Sequence, residues 1–321
     1  VERVEVQRTG MLDESPVDSF QASGVAEFHA FALLAAGHVA EARAVAERAY
    51  TLHAEMPGQS QTMAIAALGM TALGSGDLQA ALRFLDRAAA GFGGYGETVG
   101  LQYRFRIMRT ETLARMGDIE SAVASAEITE RSRHPAYRYV ESNCLLACAW
   151  VAAARGHVST AREFACRAAE FARSHGQLAR EGLALQTAAQ FGDAGGVDRS
   201  AELAAVVEGP RAALAARYVR AVAEDDAIAL DEVSRHYEAI GDRLVAADAA
   251  AQAAAAHRLA IRKGSALSAG ARAHQLAKDC GGAVSPALAA ARVRLPFTRR
   301  EHEIAKLVAD GLTNRAIAEA M

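Results

Sequence analysis

Apolar positions recur three and four residues apart in runs several helical turns long, and each run stops at a glycine. The stops share a pattern in which alanine follows the glycine by five residues. The instances are GHVAEA (Gly37 to Ala42), GDLQAA (Gly76 to Ala81), GDIESA (Gly117 to Ala122) and GHVSTA (Gly156 to Ala161). Two weaker copies follow, GVDRSA (Gly196 to Ala201) and GDRLVA (Gly241 to Ala246), so that successive glycines lie 39, 41, 39, 40 and 45 residues apart. That constancy predicts a tandem array of helical hairpins. In each unit the glycine supplies the left-handed conformation that ends a helix, and Asp77, Asp118 and Asp242 brace the start of the next. An apolar residue two after the glycine (Val39, Leu78, Ile119, Val158) is expected to plug the turn. Small residues recur at fixed offsets: Ala49, Ala88, Ala168 and Ala253 lie seven beyond the alanine, and Ala30, Gly69, Thr110, Ala149 and Ser234 seven before the glycine. They predict close, two-sided helix contact. Asp198 and Arg243 occupy the plug position of the weaker copies, which leaves the register after about residue 185 open.

Composition strengthens the helical reading. Hydrophobic residues make up 51% of the 321-residue chain but aromatics only 6%, so much of the apolar content is alanine, the best helix former. No sustained alternation of Val, Ile, Thr or Tyr marks a strand. The expected fold class is all-α, a superhelix of hairpins with a period of about 40 residues, with an irregular helical bundle as the alternative. A net charge of −3 argues against a nucleic-acid coat or a polybasic membrane anchor. No apolar run reaches the roughly 18–20 residues of a membrane span. The opening VERVEVQRTG has neither a signal-peptide core nor an initiator Met, so the chain is expected to be cytoplasmic and part of a longer protein. Cys144, Cys148, Cys166 and Cys280 show no disulfide framework and read as buried thiols. A metal at Cys144 and Cys148 would need two further ligands, and His157 is the one near candidate. His29, His38, His53, His134, His175, His236, His257 and His274 are scattered without metal spacing and read as surface or turn residues.

The pattern changes after Cys280. CGGAVSPALAAARVRLP reads as a helix stop, a short helix and a linker, followed by FTRREHEIAKLVADGLTNRAIAEAM. Here Thr298 and Glu301 make a capping box, and Ile304, Leu307 and Val308 an apolar face. Gly311 stops the helix, Leu312 plugs the turn, and Thr313 caps a second helix bearing Ile317 and Met321. The expected divisions are 1–21, an N-terminal tail or the end of a preceding module; 22–278, the repeats; 279–296, a linker with a short helix; and 297–321, the opening of a helix-turn-helix.

Two resemblances follow from these motifs. The repeats resemble the tetratricopeptide repeat, elongated as in the signal-reading domains of large bacterial regulators. The tail resembles the opening of the LuxR-type DNA-binding domain, matching at Thr298, Arg300, Glu301, Glu303, Ile304, Gly311, Leu312, Thr313, Asn314, Arg315, Ile317 and Ala318. It departs at Phe297, where leucine is usual, and at Ala316, where glutamate is usual. The resemblance implies a LuxR-family transcriptional regulator of the ATPase-linked type. A helix-turn-helix reads bases with its second helix, and this chain stops at Met321, before that element. In a complete protein Thr313, Asn314 and Arg315 would contact phosphate at a helix N-terminus, while this chain alone is expected not to bind DNA specifically. No cofactor is expected here. ATP is implied only for an upstream module, because the chain lacks G-x-x-x-x-G-K-[ST] and its GGYGETVG reads as a loop.

Two functions remain open for the repeats. One is a sensory and coupling module whose concave face binds a small effector or a partner; the other is a protein-docking scaffold without a small ligand. Tyr95, Tyr103, Arg104, Arg106, Tyr137, Arg138 and Tyr139 form the densest aromatic and arginine region and are the candidate groove residues. An enzyme is disfavoured, since no H-E-x-x-H, G-x-S-x-G or spaced carboxylate pair occurs. Exposed ends of a superhelix predict some self-association.

Overall fold

The computed structural model describes residues 19–55, 58–93, 101–292, 299–309 and 311–320. Seventeen α-helices and one 3₁₀ segment account for nearly all of these residues, and no strand occurs among them. The helices are α1 (Ser19–Ala36), α2 (Val39–Leu52), α3 (Gln59–Ser75), α4 (Leu78–Gly93), α5 (Leu101–Met116) and α6 (Ile119–Arg131). After the 3₁₀ segment Pro135–Val140 come α7 (Glu141–Ala154), α8 (Val158–Ser174), α9 (Leu178–Gln190), α10 (Val197–Val206) and α11 (Pro210–Ala223). The series closes with α12 (Ala227–Ala239), α13 (Arg243–Leu259), α14 (Lys263–Asp279), α15 (Pro286–Ala291), α16 (Arg299–Ala309) and α17 (Asn314–Ala320). The chain divides into two units, one ending at Ala291 and one beginning at Arg292.

The repeated glycine does what its conformation suggests. At Gly76 (φ 81°) the glycine N–H donates to Leu73 O and the next N–H, of Asp77, donates to Ala72 O, a paired bond set that ends α3. Asp77 O then accepts from Ala81 N, the first bond of α4, so the alanine five after the glycine is the residue that closes the first turn. The side chains of Asp77, Asp118 and Asp242 accept from Ala80, Ser121 and Val245 N–H, as expected of caps. Ala42, Ala81, Ala122, Ala161 and Ala246 are fully buried, as are Ala30, Ala149 and Ser234. A Cβ at Gly69 would meet Leu85 Cγ at 2.8 Å, which shows how closely α3 and α4 approach.

Four expectations need correction. Gly196 does not stop a helix: it has φ −100° and precedes α10, while Gly192 (φ 79°) ends α9 with the paired bonds. Beyond Gly156 the same turn recurs between almost every pair of helices, at Gly176, Gly241 and Gly281 and, without glycine, at Asp225 (φ 49°) and Ile261 (φ 59°). Ile119 is 44% exposed and plugs nothing, whereas Val39 and Leu78 are buried. His29, His53 and His257 are buried rather than superficial, and two of the rings have polar company: His53 Nδ1 lies 2.8 Å from Ala49 O and His257 Nε2 lies 2.9 Å from Asp231. Cys166 is exposed; Cys144 and Cys280 are the buried thiols and Cys148 is half-buried.

Within the large unit the first half meets the second edge to edge, turn on turn. Val39 and Leu78 are buried because they face that contact. A Cβ at Gly241 would touch Val39 at 3.3 Å, one at Gly76 would lie 2.8 Å from Cys280 Sγ, and one at Gly37 would lie 2.9 Å from Arg211 N. Each of three last-turn carbonyls in the first half receives a donor from the second. Arg211 Nε donates to Leu34 O (3.0 Å), Arg243 Nε to Ser75 O (2.9 Å) and Val284 N–H to Arg115 O (2.8 Å). Such carbonyls lack the regular helical partner at a helix end; Leu34 O also accepts from Gly37 N–H at 3.1 Å in its own turn, and a guanidinium suits the negative end of the helix dipole. Arg243, in the plug position of its copy, is therefore a cap for another helix.

The second half is organised around α13, an alanine-rich helix buried along most of its length between α12, α14 and α15. The small unit is a helical pair in which Gly311 (φ 82°) ends α16, Leu312 N–H donates to Leu307 O, and Thr313 Oγ1 accepts from Ala316 N at the start of α17. Ile317 is buried there, while Ile304 is 37% and Val308 55% exposed. Thr298 lies outside the described residues, as does Met321, and nothing is described of the Glu301 side chain.

Left-handed backbone is unfavourable by about 1–2 kcal/mol for a residue with a Cβ. Ile261 is 81% exposed and β-branched, so Ile261→Gly removes strain without removing contact. It is expected to raise unfolding free energy by about 1 kcal/mol in urea titration, whereas Gly37→Ala, forced against the Arg211 backbone, is expected to lower it by about 2 kcal/mol.

Candidate functional site

The inner faces of α1, α3, α5, α7 and α9 curve around a cavity of about 140 Å³ that the first turns of α11 and α13 close. Its walls include Phe31, Met70, Met108, Leu146 and Trp150. A smaller space of about 30 Å³ adjoins it, sharing Phe31, Met108, Glu111, Asn143 and Arg180.

Around this apolar space lie charges that an alanine-rich core would not need. Arg104 Nη1 donates to Glu27 at 2.7 Å, with both side chains almost fully buried. Arg115 pairs with Glu111 at 3.1 Å and stands 3.9 Å from Asp248 and from the centre of the Trp150 ring. Arg211 donates to Asp242 at 2.7 Å and to Gln186 at 3.3 Å. Asp248 accepts from Gln190 Nε2 at 2.6 Å and from Ser285 Oγ. Burial pushes the carboxyls of Glu27, Glu111 and Asp248 above the usual range, against the pull of Arg104 on the first and Arg115 on the other two. Arg180 differs from these guanidiniums. It lies over the rings of Phe31 (4.7 Å) and Tyr139 (5.4 Å) and, among the described residues, has no carboxylate at salt-bridge distance and no hydrogen-bond partner for its buried Nη1. Burial brings it down to about 10, so it stays charged at neutral pH. Asn143 Oδ1 is likewise buried without a donor.

The sequence-predicted groove residues divide between this interior and an outer cleft. Arg104 is in the buried pair with Glu27, and its guanidinium lies 5.1 Å from the Phe28 ring and 5.5 Å from Tyr137. Tyr139 OH accepts from Arg104 Nη1 at 3.2 Å and its ring faces Arg180. Tyr103, Tyr137 and Arg138 instead line a cleft of about 560 Å³, with Arg133, Arg167 and Phe171 among its other walls. Arg106 lines neither; it donates to Ser132 and to Gln102 Oε1. Tyr95 lies outside the described residues. Of the tail residues, Thr313 caps α17 and Arg315 is exposed on it, while nothing is described of the Asn314 side chain.

Sequence reasoning missed Glu27, Glu111, Asn143, Arg180 and Asp248. A signal existed for Asp248, which with Gln252 stands four apart in RLVAADAAAQAAAAHRL, the one polar stripe of an alanine helix. Arg180 had no such signal, since LAREGLAL reads as an ordinary amphipathic start. Among the described residues, no group of three or more His, Cys, Asp or Glu is placed to hold a metal, and no helix is long and apolar enough to cross a membrane. Compared with known proteins, the chain matches no protein-family model and no curated protein.

Arg211 ties the cavity to the halves' junction, so its loss leaves Asp242 buried and uncompensated. Arg211→Ala is expected to cost about 3 kcal/mol, whereas Arg217→Ala, which removes the exposed pair with Glu232, costs under about 1 kcal/mol. Equal losses in chemical denaturation would contradict this.

Proposed function

We propose that this chain is the sensory and coupling region of a bacterial, cytoplasmic transcriptional regulator of the LuxR type, running into the opening of its DNA-binding domain. The observation that carries the reading is the string TRREHEIAKLVADGLTNRAIA, residues 298–318, with its glycine turn and threonine-capped second helix. A helix ended by a Gly-Leu turn and a threonine-capped second helix presenting Arg315 at its start suit a scaffold that rests on phosphate. Ile304 and Val308 leave apolar surface on α16 of the kind a third, base-reading helix covers. For the repeats, the cavity with a guanidinium N–H that lacks an acceptor supports a small effector held among α1, α5, α7 and α9. Occupancy there would bias how the two halves meet, because Arg115 and Arg211 belong both to the cavity wall and to the junction. The ATPase module implied by the resemblance belongs to the same proposal and lies outside this chain.

The outer cleft, with Arg138 exposed at its mouth, favours a second reading in which the repeats dock a protein partner without a small ligand.

DNA binding by the full-length natural protein, measured on its own promoter across a salt series, separates the two. The regulator reading predicts binding that weakens steeply with salt, a slope reduced by about one in Arg315→Ala, and no specific binding by the chain ending at Met321. Absence of binding by the full-length protein at low salt would leave the docking scaffold as the better account.

A further inference from the structure

Four guanidiniums face the interior of the first half and its junction: Arg104, Arg115, Arg180 and Arg211. Three have a carboxylate at salt-bridge distance, Glu27 at 2.7 Å, Glu111 at 3.1 Å and Asp242 at 2.7 Å. Arg180 has none, and its Nη1 is buried without an acceptor. Arg180 is half-buried and Glu27 acts on it only at longer range; a buried guanidinium N–H without an acceptor is unfavourable, so Nη1 lacks an acceptor that a ligand could supply. Asn143 Oδ1, lining the same two adjoining spaces, lacks one donor. Water alone could answer both polar atoms but not the walls, because Phe31, Met108 and Trp150 present apolar surface that water does not satisfy. The volume, about 140 Å³, is close to the roughly 150 Å³ of a cavity that holds benzene.

We propose that this cavity binds a small monocarboxylic acid with an apolar body the size of one aromatic ring and a hydroxyl or N–H group. The carboxylate meets Arg180, the ring lies among Phe31, Met108 and Trp150, and the donor group meets Asn143 Oδ1. The aromatic faces of Phe31 and Tyr139 already hold the guanidinium in position, so little ordering is needed on binding. This inference rests on reading the cavity as an effector site, and is independent of the DNA-binding reading of the tail.

The test uses the three isomeric hydroxybenzoates and, for each, the matching uncharged hydroxybenzamide. Trp150 is the one tryptophan of the chain, so a single indole N–H signal reports on the cavity wall. Titrations followed by that signal and by calorimetry are expected to show at least one acid binding ten-fold or more tighter than its amide. Arg180→Gln is expected to abolish the preference and Arg180→Lys to restore part of it, with helix content and melting temperature checked for each. Acid and amide binding equally would overturn the acid class while leaving an effector cavity in place. No response to any of the six compounds at millimolar concentration would overturn both the inference and the effector reading of this cavity.

Discussion

One last-turn carbonyl in each of α1, α3 and α5 accepts a hydrogen bond from the far half of the chain, and the architecture of the large unit depends on that exchange. Helix ends leave carbonyls without intrahelical partners, and leaving a covered one unpaired costs about 1–3 kcal/mol. Arg243 and the Val284 N–H supply such partners to Ser75 O and Arg115 O, and Arg211 adds a second donor to Leu34 O, all across sequence separations of more than a hundred residues. The same device recurs locally, where Arg162 Nε donates to Phe191 O at the end of α9. Because the donors sit at the starts of α11 and α13 and beside α15, the hairpins close on themselves. An open solenoid would present its inner helices as a groove; here they surround a cavity.

That closure explains why charged residues lie inside an alanine-rich protein. Small side chains let helices approach, but they fill little of the space that remains where five inner helices converge. Longer residues reach into it from α1, α5, α9, α11 and α13: Arg104 meets Glu27, Arg211 meets Asp242, and Arg115 meets both Glu111 and Asp248. Glu27, Glu111 and Asp248 carry raised carboxyl pKa values because burial outweighs the arginines beside them. A network of this kind contributes little to stability compared with an apolar core; within it Arg180 is the guanidinium without a carboxylate at salt-bridge distance among the described residues, and on the proposed reading a ligand would find both charge and space there.

Much of the local structure was legible in the sequence, and the long-range structure was not. Gly37, Gly76, Gly117 and Gly156 announced their turns because a helix stop by left-handed backbone needs glycine and because the capping and alanine positions follow at fixed offsets. Gly311 and Thr313 were legible for the same reason. The reading failed where another residue took the same conformation: Asp225 and Ile261 end helices with no glycine at all, and GDAGGVD offered three glycines, of which Gly192 rather than Gly196 serves. Ile119 failed as a plug because a turn buries its apolar residue only where another element covers it, and that is a property of tertiary contact. The interior site was invisible for a related reason. Glu27, Arg104 and Arg180 lie far apart in sequence, and only closure brings the three together. Part of the aromatic and arginine cluster was found, since Arg104, Tyr137 and Tyr139 do converge, but their meaning depended on Arg180.

The central claim is that the two halves of the large unit meet turn to turn. Gly76 and Cys280 test it directly, since a Cβ at position 76 would lie 2.8 Å from the Cys280 sulfur, within the geometry a disulfide requires. Under mild oxidation Gly76→Cys should form an intramolecular bridge to Cys280, seen as faster migration without reductant and lost in Gly76→Cys/Cys280→Ser. A folded Gly76→Cys protein in which both thiols stay free and open to alkylation would show that the halves stand apart, and the cavity that both halves line would not exist.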